Sequence, residues 1–295
     1  MRESAHAGVR VTLAIAALGA GLLAPVGTAD ARTATEHRPP ATVHGFGFDF
    51  LQAEAAHANA PTGIKKFGRP QALRALADVP ESYSLKQYAL PAGDQGAVGS
   101  CVAWATGYTG MGLLANEQSR TGQPFAPMFV YAQIAQGDDT GTWAGVALPI
   151  EEEQGIDTKD HYWQGDFDYA TQPDDEEREN ALQHRISGFT DLTNAEDREA
   201  AVKEAIASGL PVAIGFEVRD SFMNLDADNY TYDPSEDEGV SGGHEVTIVG
   251  YDENGVEIEN SWSSGWGNDG YFRAPWSFIS GGDVDEIHSI GKLVS

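Results

Sequence analysis

The sequence predicts an α+β fold in which a helical half comes first and a strand-rich half follows. Three observations carry that expectation. Helix-period runs with capping signals fill residues 100–208, and short β-branched or alternating runs between glycine-rich turns fill residues 211–273. No internal repeat interrupts that order. At 295 residues the chain suits one large domain or two small ones, with ample material for a core.

The elements follow in turn. Ser100 is a good N-cap for a helix over 100–117, and Ala103, Ala105, Gly107, Met111 and Leu114 make it small or apolar enough to be buried. Pro127 opens a second helix over 127–136. A third is expected over 146–154, stopped by Gly155. Residues 174–179 are a charge run, either a solvated loop or a helix start. Asn194 caps a further helix to 208, with Glu196 and Asp197 in the first turn, where negative charge is favourable. Strands are expected over 211–218, 244–251, 256–260 and 271–273.

Upstream, Arg2 and Arg10, an apolar run over 11–23 and Ala29-Asp30-Ala31 read as a secretory signal peptide spanning 1–31. The apolar run is shorter than the roughly 20 residues that cross a bilayer, so the exported protein is expected off the membrane. Residues 32–77 carry Arg38-Pro39-Pro40, the patch Gly45-Phe46-Gly47-Phe48 and an Ala-rich piece. They read as a linker or short propeptide with one or two short helices, leaving 78–295 as the main domain.

Charge and cysteine content narrow the function. A net charge of −27 repels nucleic acid and anionic lipid, and reads as a solvated acidic coat. Cys101 is the only cysteine, so no disulfide forms within the chain and the usual Cys-based zinc sites are excluded. The acidic run from Asp226 to Glu238 lacks the central glycine and closing glutamate of a calcium loop. His161, His184 and His288 show no metal-ligand spacing and are expected at the surface. No metal and no cofactor is expected.

The chemistry gathers around Cys101. Asp94-Gln95-Gly96-Ala97-Val98-Gly99-Ser100 leads into it and places the thiol in the first turn of a helix, whose partial positive charge favours the thiolate. A reacting thiol needs a base, and His244, preceded by Gly242-Gly243, starts a strand downstream. Asn260 ends the next strand, and its side-chain carbonyl can hold an imidazole in one tautomer. On these residues alone a buried structural cysteine stays open.

The motifs resemble the papain family of cysteine peptidases. The matching spans are Asp94-Gln95-Gly96 with Gly99-Ser100-Cys101, then Gly243-His244 with Val249-Gly250-Tyr251, and then Asn260-Ser261-Trp262 with Gly265-Trp266-Gly267. The resemblance implies a two-lobed fold, a helical lobe followed by an antiparallel β-barrel lobe, over 78–295. It implies Cys101 as nucleophile, His244 as general base and acid, Asn260 as the orienting residue and Gln95 as oxyanion donor beside the Cys101 N–H. Trp262 would shield the His244–Asn260 hydrogen bond. Gly99, Ser100, Trp143, Gly243 and Trp266 would line the substrate cleft. Ala97 and Val98 stand where many relatives carry a cysteine, and Val102 replaces the usual aromatic after the nucleophile. Gly141-Thr142-Trp143-Ala144-Gly145 falls near the place of the family's paired substrate-holding glycines. The function implied is a secreted, monomeric cysteine protease acting on peptides through a thioacyl-enzyme, resembling disulfide-free bacterial members. A non-catalytic binding protein on the same fold and an acyltransferase with the same chemistry are the alternatives. The carboxylate excess suggests an acid-shifted optimum.

Overall fold

The computed structural model describes residues 44–294, so the expected signal peptide lies outside the described residues. Described first is part of the segment read from sequence as a linker or short propeptide. Residues 44–49 lead into helix α1 (Phe50–His57), capped by the Asp49 carboxylate accepting from Gln52 N–H. Strand β1 (Lys65–Gly68) then pairs with a strand of the main sheet. Residues 44–68 are thus packed on the body and include one of the short helices expected there. Phe67 stacks on Phe189 at 4.5 Å, and burying apolar surface favours holding this segment on the body.

After a two-residue strand β2 (Tyr83–Ser84), the first long helix runs without a break over 101–117. It begins as α2 (Cys101–Ala103), widens to a π-helical stretch (Trp104–Met111) and ends as α3 (Gly112–Glu117). Nearly the whole run is buried, as the small and apolar residues predict. The cap differs: Ser100 occupies the N-cap position, yet its hydroxyl has no hydrogen-bond partner. Two helices follow, α4 (Pro127–Ala135) and α5 (Ala144–Glu153), the latter ending before Gly155 in a left-handed turn (φ +82°).

The 174–179 charge run is a helix start. Asp174 and Glu177 form a reciprocal capping box that opens α6 (Asp175–Ala181). Strands β3 (Arg185–Ile186) and β4 (Gly188–Asp191) precede α7 (Arg198–Ala207). The cap of α7 is Asp197, accepting from Ala200 N–H at 2.9 Å, not Asn194. Asn194 instead lies in the turn against α1, its Nδ2 reaching the His57 carbonyl at 3.4 Å.

The expected strands appear with shifted ends: β5 (Val212–Arg219), β6 (Val240–Tyr251), β7 (Gly255–Glu259) and β8 (Tyr271–Pro275). After helix α8 (Trp276–Ser280) come β9 (Val284–Ile290) and β10 (Leu293–Val294), which lay past the last strand read from sequence. The main sheet is antiparallel, in the order β1-β4-β9-β5-β6-β7-β8, with β2 against β6.

Two apolar cores match the two expected lobes. One surrounds the 101–117 helix, α4 and α5 and contains Cys101. The other fills the space between the sheet and α7 and contains Trp262 and Trp266. Among the described residues no helix is long and apolar enough to cross a membrane.

Candidate active site

Each lobe contributes one side of the site. The helix start brings Cys101 from the helical core, fully buried. Strand β6 brings His244, and its partner β7 delivers Asn260 just past its end. The backbone N–H of Glu245, next to His244, reaches the Cys101 sulfur.

The imidazole is oriented on one side and open on the other. His244 Nε2–H donates to Asn260 Oδ1 at 2.7 Å. That carbonyl also accepts from Ser261 N–H at 2.8 Å, which fixes it. His244 Nδ1, fully buried, has no hydrogen-bond partner and is the nitrogen left to exchange a proton. Trp262 covers this pair, its ring 4.8 Å from the imidazole, and Trp266 and Phe222 pack behind it at 5.4 and 5.3 Å. Phe222, which the sequence reading did not single out, also lies 6.0 Å from the imidazole. Its place follows from a short turn after β5, which no local periodicity announces.

Gln95 lies fully buried beside the helix start. Its Oε1 accepts from the Ser261 hydroxyl at 2.6 Å, and its backbone N–H donates to the Ser261 carbonyl at 2.9 Å. These bonds tie the glutamine to the loop that carries Asn260. Gly99 N–H is held by the Asp139 carboxylate at 3.0 Å, which anchors the turn before the thiol.

Residues 44–49 form a strap across the cleft between the lobes. Gly45 N–H donates to the Gly96 carbonyl (2.8 Å), Phe48 N–H to Gly243 (3.1 Å) and Asp49 N–H to Thr142 (2.8 Å), while Thr142 N–H donates to Gly47 (2.8 Å). Gln95 Nε2 is used by the Gly45 carbonyl at 3.1 Å and by the Val98 carbonyl at 2.9 Å. The Gly47 N–H reaches the Cys101 sulfur. Phe46 turns its ring edge to His244 at 6.1 Å, and His44 stacks on Trp262 at 4.3 Å. Approach this close needs glycine on both sides: a Cβ on Gly47 would lie 1.9 Å from the Gly99 carbonyl oxygen, and one on Gly243 would lie 2.2 Å from that of Phe48.

Among the cleft residues read from sequence, Gly99, Gly243 and Trp262 meet the strap, and Trp266 stands behind Trp262. Trp143 does not join them. Its ring packs against His57 of α1 at 5.8 Å and over Gly145, while its neighbour Thr142 presents the backbone edge.

Burial sets the electrostatics. It pushes the Cys101 thiol up to about 12, helped by the Glu245 carboxylate, and lowers His244 to about 4. With the strap in place, loss of water outweighs the helix-start field that favoured a thiolate. Two further carboxyls lie buried near the site. Glu151 is raised to about 8 by burial, and Glu245 is raised well above the usual range by burial and its neighbour Glu286.

The calcium-loop idea for 226–238 gains nothing. Asp226 accepts from Asp228 and Asn229 N–H, and Glu238 from Ser221 and Ser235 N–H, so these carboxylates serve local turns. A different group could hold a metal: His57, Asp191 and His288. His288 is almost fully buried, contrary to the surface position expected.

Comparison with known proteins completes the picture. The model of the papain family cysteine proteases matches residues 79–277. The chain belongs to the papain family. This papain-family chain is 28% identical over 226 residues to an uncharacterized peptidase C1-like protein of Acanthamoeba polyphaga mimivirus, covering 72% of each. It is 29% identical over 217 residues to the oryzain gamma chain of Oryza sativa subsp. japonica, covering 68% of this chain and 56% of that one. Among solved structures, xylellain, a cysteine protease from Xylella fastidiosa, superposes with a TM-score of 0.68 at 20% identity, covering 87% of this chain and 99% of that one. At that identity the superposition speaks for the fold. The protein is a papain-like cysteine-type peptidase.

Proposed function

We propose that this peptidase is a secreted enzyme using Cys101, His244 and Asn260, and that the form with residues 44–49 in the cleft is its latent state. The observation that carries the reading is the pair formed by an oriented, half-free imidazole and the single thiol on facing lobes. His244 Nδ1 takes the Cys101 proton as sulfur attacks the peptide carbonyl, and returns it to the leaving amine. Gln95 Nε2–H and the Cys101 backbone N–H hold the oxyanion. Water then hydrolyses the thioacyl-enzyme with His244 as base. Asn260 keeps Nδ1, not Nε2, aimed at sulfur, and Trp262 keeps water off their hydrogen bond.

The latent part rests on what the strap offers the thiol. A scissile peptide must bring a carbonyl carbon to sulfur with its oxygen on Gln95. The strap brings the Gly47 N–H to sulfur and uses Gln95 for a carbonyl two residues earlier, so it fills the site without presenting a bond in line for attack. Secretion rests on the N-terminal apolar run and its small-residue cleavage site.

After limited proteolysis within the strap, the wild-type chain should hydrolyse an unstructured protein substrate under reducing conditions, and Cys101→Ala should not. Equal turnover by the two would remove Cys101 from the mechanism. An added amine that appears in the product in place of water would move the reading to acyl transfer.

A further inference from the structure

We propose that His57, Asp191 and His288 form a binding site for a divalent transition-metal ion of the zinc class, which pins α1, and with it the strap, onto the main sheet. The latch role rests on the latent-state reading; the site itself does not.

The three residues come from three elements. Asp191 at the end of β4 lies opposite His288 of β9 in the antiparallel register, so the two share one face of the sheet. His57, the last residue of α1, meets them from above. His57 Nε2 lies 3.3 Å from Asp191 Oδ2, and His288 Nε2 lies 3.9 Å from Asp191 Oδ1. One ligand atom from each residue falls within 4.8 Å of the others. A tetrahedral ion with bonds of about 2.0–2.1 Å spaces its ligand atoms roughly 3.3 Å apart, so small side-chain adjustments close the set. Two imidazoles and a carboxylate leave one position open.

The surroundings aim the lone pairs inward. His57 Nδ1–H donates to the Ala53 carbonyl at 2.7 Å, which directs the Nε2 lone pair at a carboxylate oxygen. Nε2 and a carboxylate oxygen facing each other at 3.3 Å need either a proton on the imidazole or a metal cation between them. His288, with 2% of its surface exposed, turns Nδ1 to Glu286 Oε2 at 3.6 Å, and neither atom has a hydrogen-bond partner. A carbonyl behind one imidazole and a carboxylate behind the other is the outer arrangement that orients metal-bound histidines. Thr193 N–H steadies Asp191 through Oδ1 at 2.9 Å.

The mechanical consequence follows from chain order. The strap runs directly into α1, and His57 closes that helix. An ion shared by His57 and the two sheet residues must be released before α1 lifts away, so it favours the occupied cleft by mass action.

The test uses the full chain carrying Cys101→Ala, which removes the thiol as a competing ligand and makes metal binding readable whether or not the peptidase reading holds. Titration with Co²⁺ should give the visible bands of a tetrahedral ion at one equivalent, displaced by Zn²⁺. His57→Ala and the size-conserving Asp191→Asn should each weaken binding by more than about 100-fold while far-UV circular dichroism stays unchanged. With Cys101 restored, Zn²⁺ should slow alkylation of the thiol, and His57→Ala should abolish the His57-dependent part of that protection. No Co²⁺ bands, or uptake that His57→Ala leaves intact, overturns the site. A loss of thermal stability in His57→Ala confined to pH below 7, with no metal bound, also overturns it in favour of a protonated imidazole paired with Asp191.

Discussion

Replacing Gly47 with alanine should open the latent form. The added methyl would meet the backbone of Gly99 at 1.9 Å from its oxygen, 2.2 Å from its carbonyl carbon and 2.5 Å from its Cα. All three are main-chain atoms at the turn leading to Cys101, so no side-chain rotation relieves the clash and the strap must lift. Lifting breaks the four main-chain bonds that join Gly45, Gly47, Phe48 and Asp49 to Gly96, Thr142 and Gly243. At about 0.5–1.5 kcal/mol net for each, the strap loses about 2–6 kcal/mol of hold. With tenfold per 1.4 kcal/mol, the open population rises between about 30-fold and 10⁴-fold. If the strap shifts only around residue 47, the bonds of Gly47 and Phe48 alone set a floor of about fivefold.

Because Cys101 is the only thiol, the second-order rate of iodoacetamide incorporation into the full chain reads that population directly. Gly47→Ala should alkylate at least about fivefold faster than wild type. A variant that stays folded by circular dichroism yet alkylates at the wild-type rate would show that the strap does not guard the thiol.

In protein freed of the strap, Gln95→Ala should lower kcat by about 10²–10³-fold while leaving the alkylation rate of Cys101 nearly unchanged, since the amide acts on the oxyanion; equal losses in both would make it a structural residue. Asp197→Ala, which removes the cap of α7, should cost about 1 kcal/mol in denaturant unfolding and leave activity intact. Glu151→Gln tests the buried acid. Its pKa, raised from 4.5 to about 8 by burial, gives a stability contribution fully present below pH 4.5 and lost as pH rises through 8. Glutamine stays neutral and still accepts from Thr106, so the variant should gain on wild type by up to about 3 kcal/mol at pH 7. Parallel stability profiles from pH 4.5 to 8 would mean the carboxyl is not held neutral.

Where function left its mark in short motifs, the sequence was readable. Cys101 at a helix start and Asn260 just past the end of a strand lie where local signals placed them, whereas His244 lies inside β6, which begins at Val240 and not at the histidine. The misreadings share a physical origin in long-range contact. Residues 44–68 carry turn-like glycines among scattered phenylalanines and alanines, so nothing local announces that Phe67 stacks on Phe189 or that Gly45 and Gly47 lie against the helix start. Ser100 has the chemistry of a cap, but the backbone at a site turn spends its N–H groups elsewhere. Asn194 and Asp197 are equally good caps by type, and only the register of α7 against the sheet decides between them. His57, Asp191 and His288 have no sequence spacing at all, because sheet pairing and one helix dock bring them together.

The strap and the buried charges belong to one device. Between pH 4 and 12 the covered thiol and imidazole are both neutral, so the chain cannot form the ion pair that makes cysteine nucleophilic. Burial causes that electrostatic silence, and residues 44–49 add to it by covering the site. Lifting the strap readmits water, which lowers the cysteine and raises the histidine toward their ordinary values, and frees Gln95 in the same motion. Glu245 then decides how far the thiol falls. Its ionised form pushes Cys101 up, and its position beside Glu286 favours the protonated form. As pH rises and Glu245 ionises, the thiolate is penalised, which is a structural reason to expect activity on the acid side of neutrality. Glu245→Gln in the opened enzyme should move the alkaline limb of the alkylation profile to lower pH, and an unmoved limb would separate this carboxyl from the thiol.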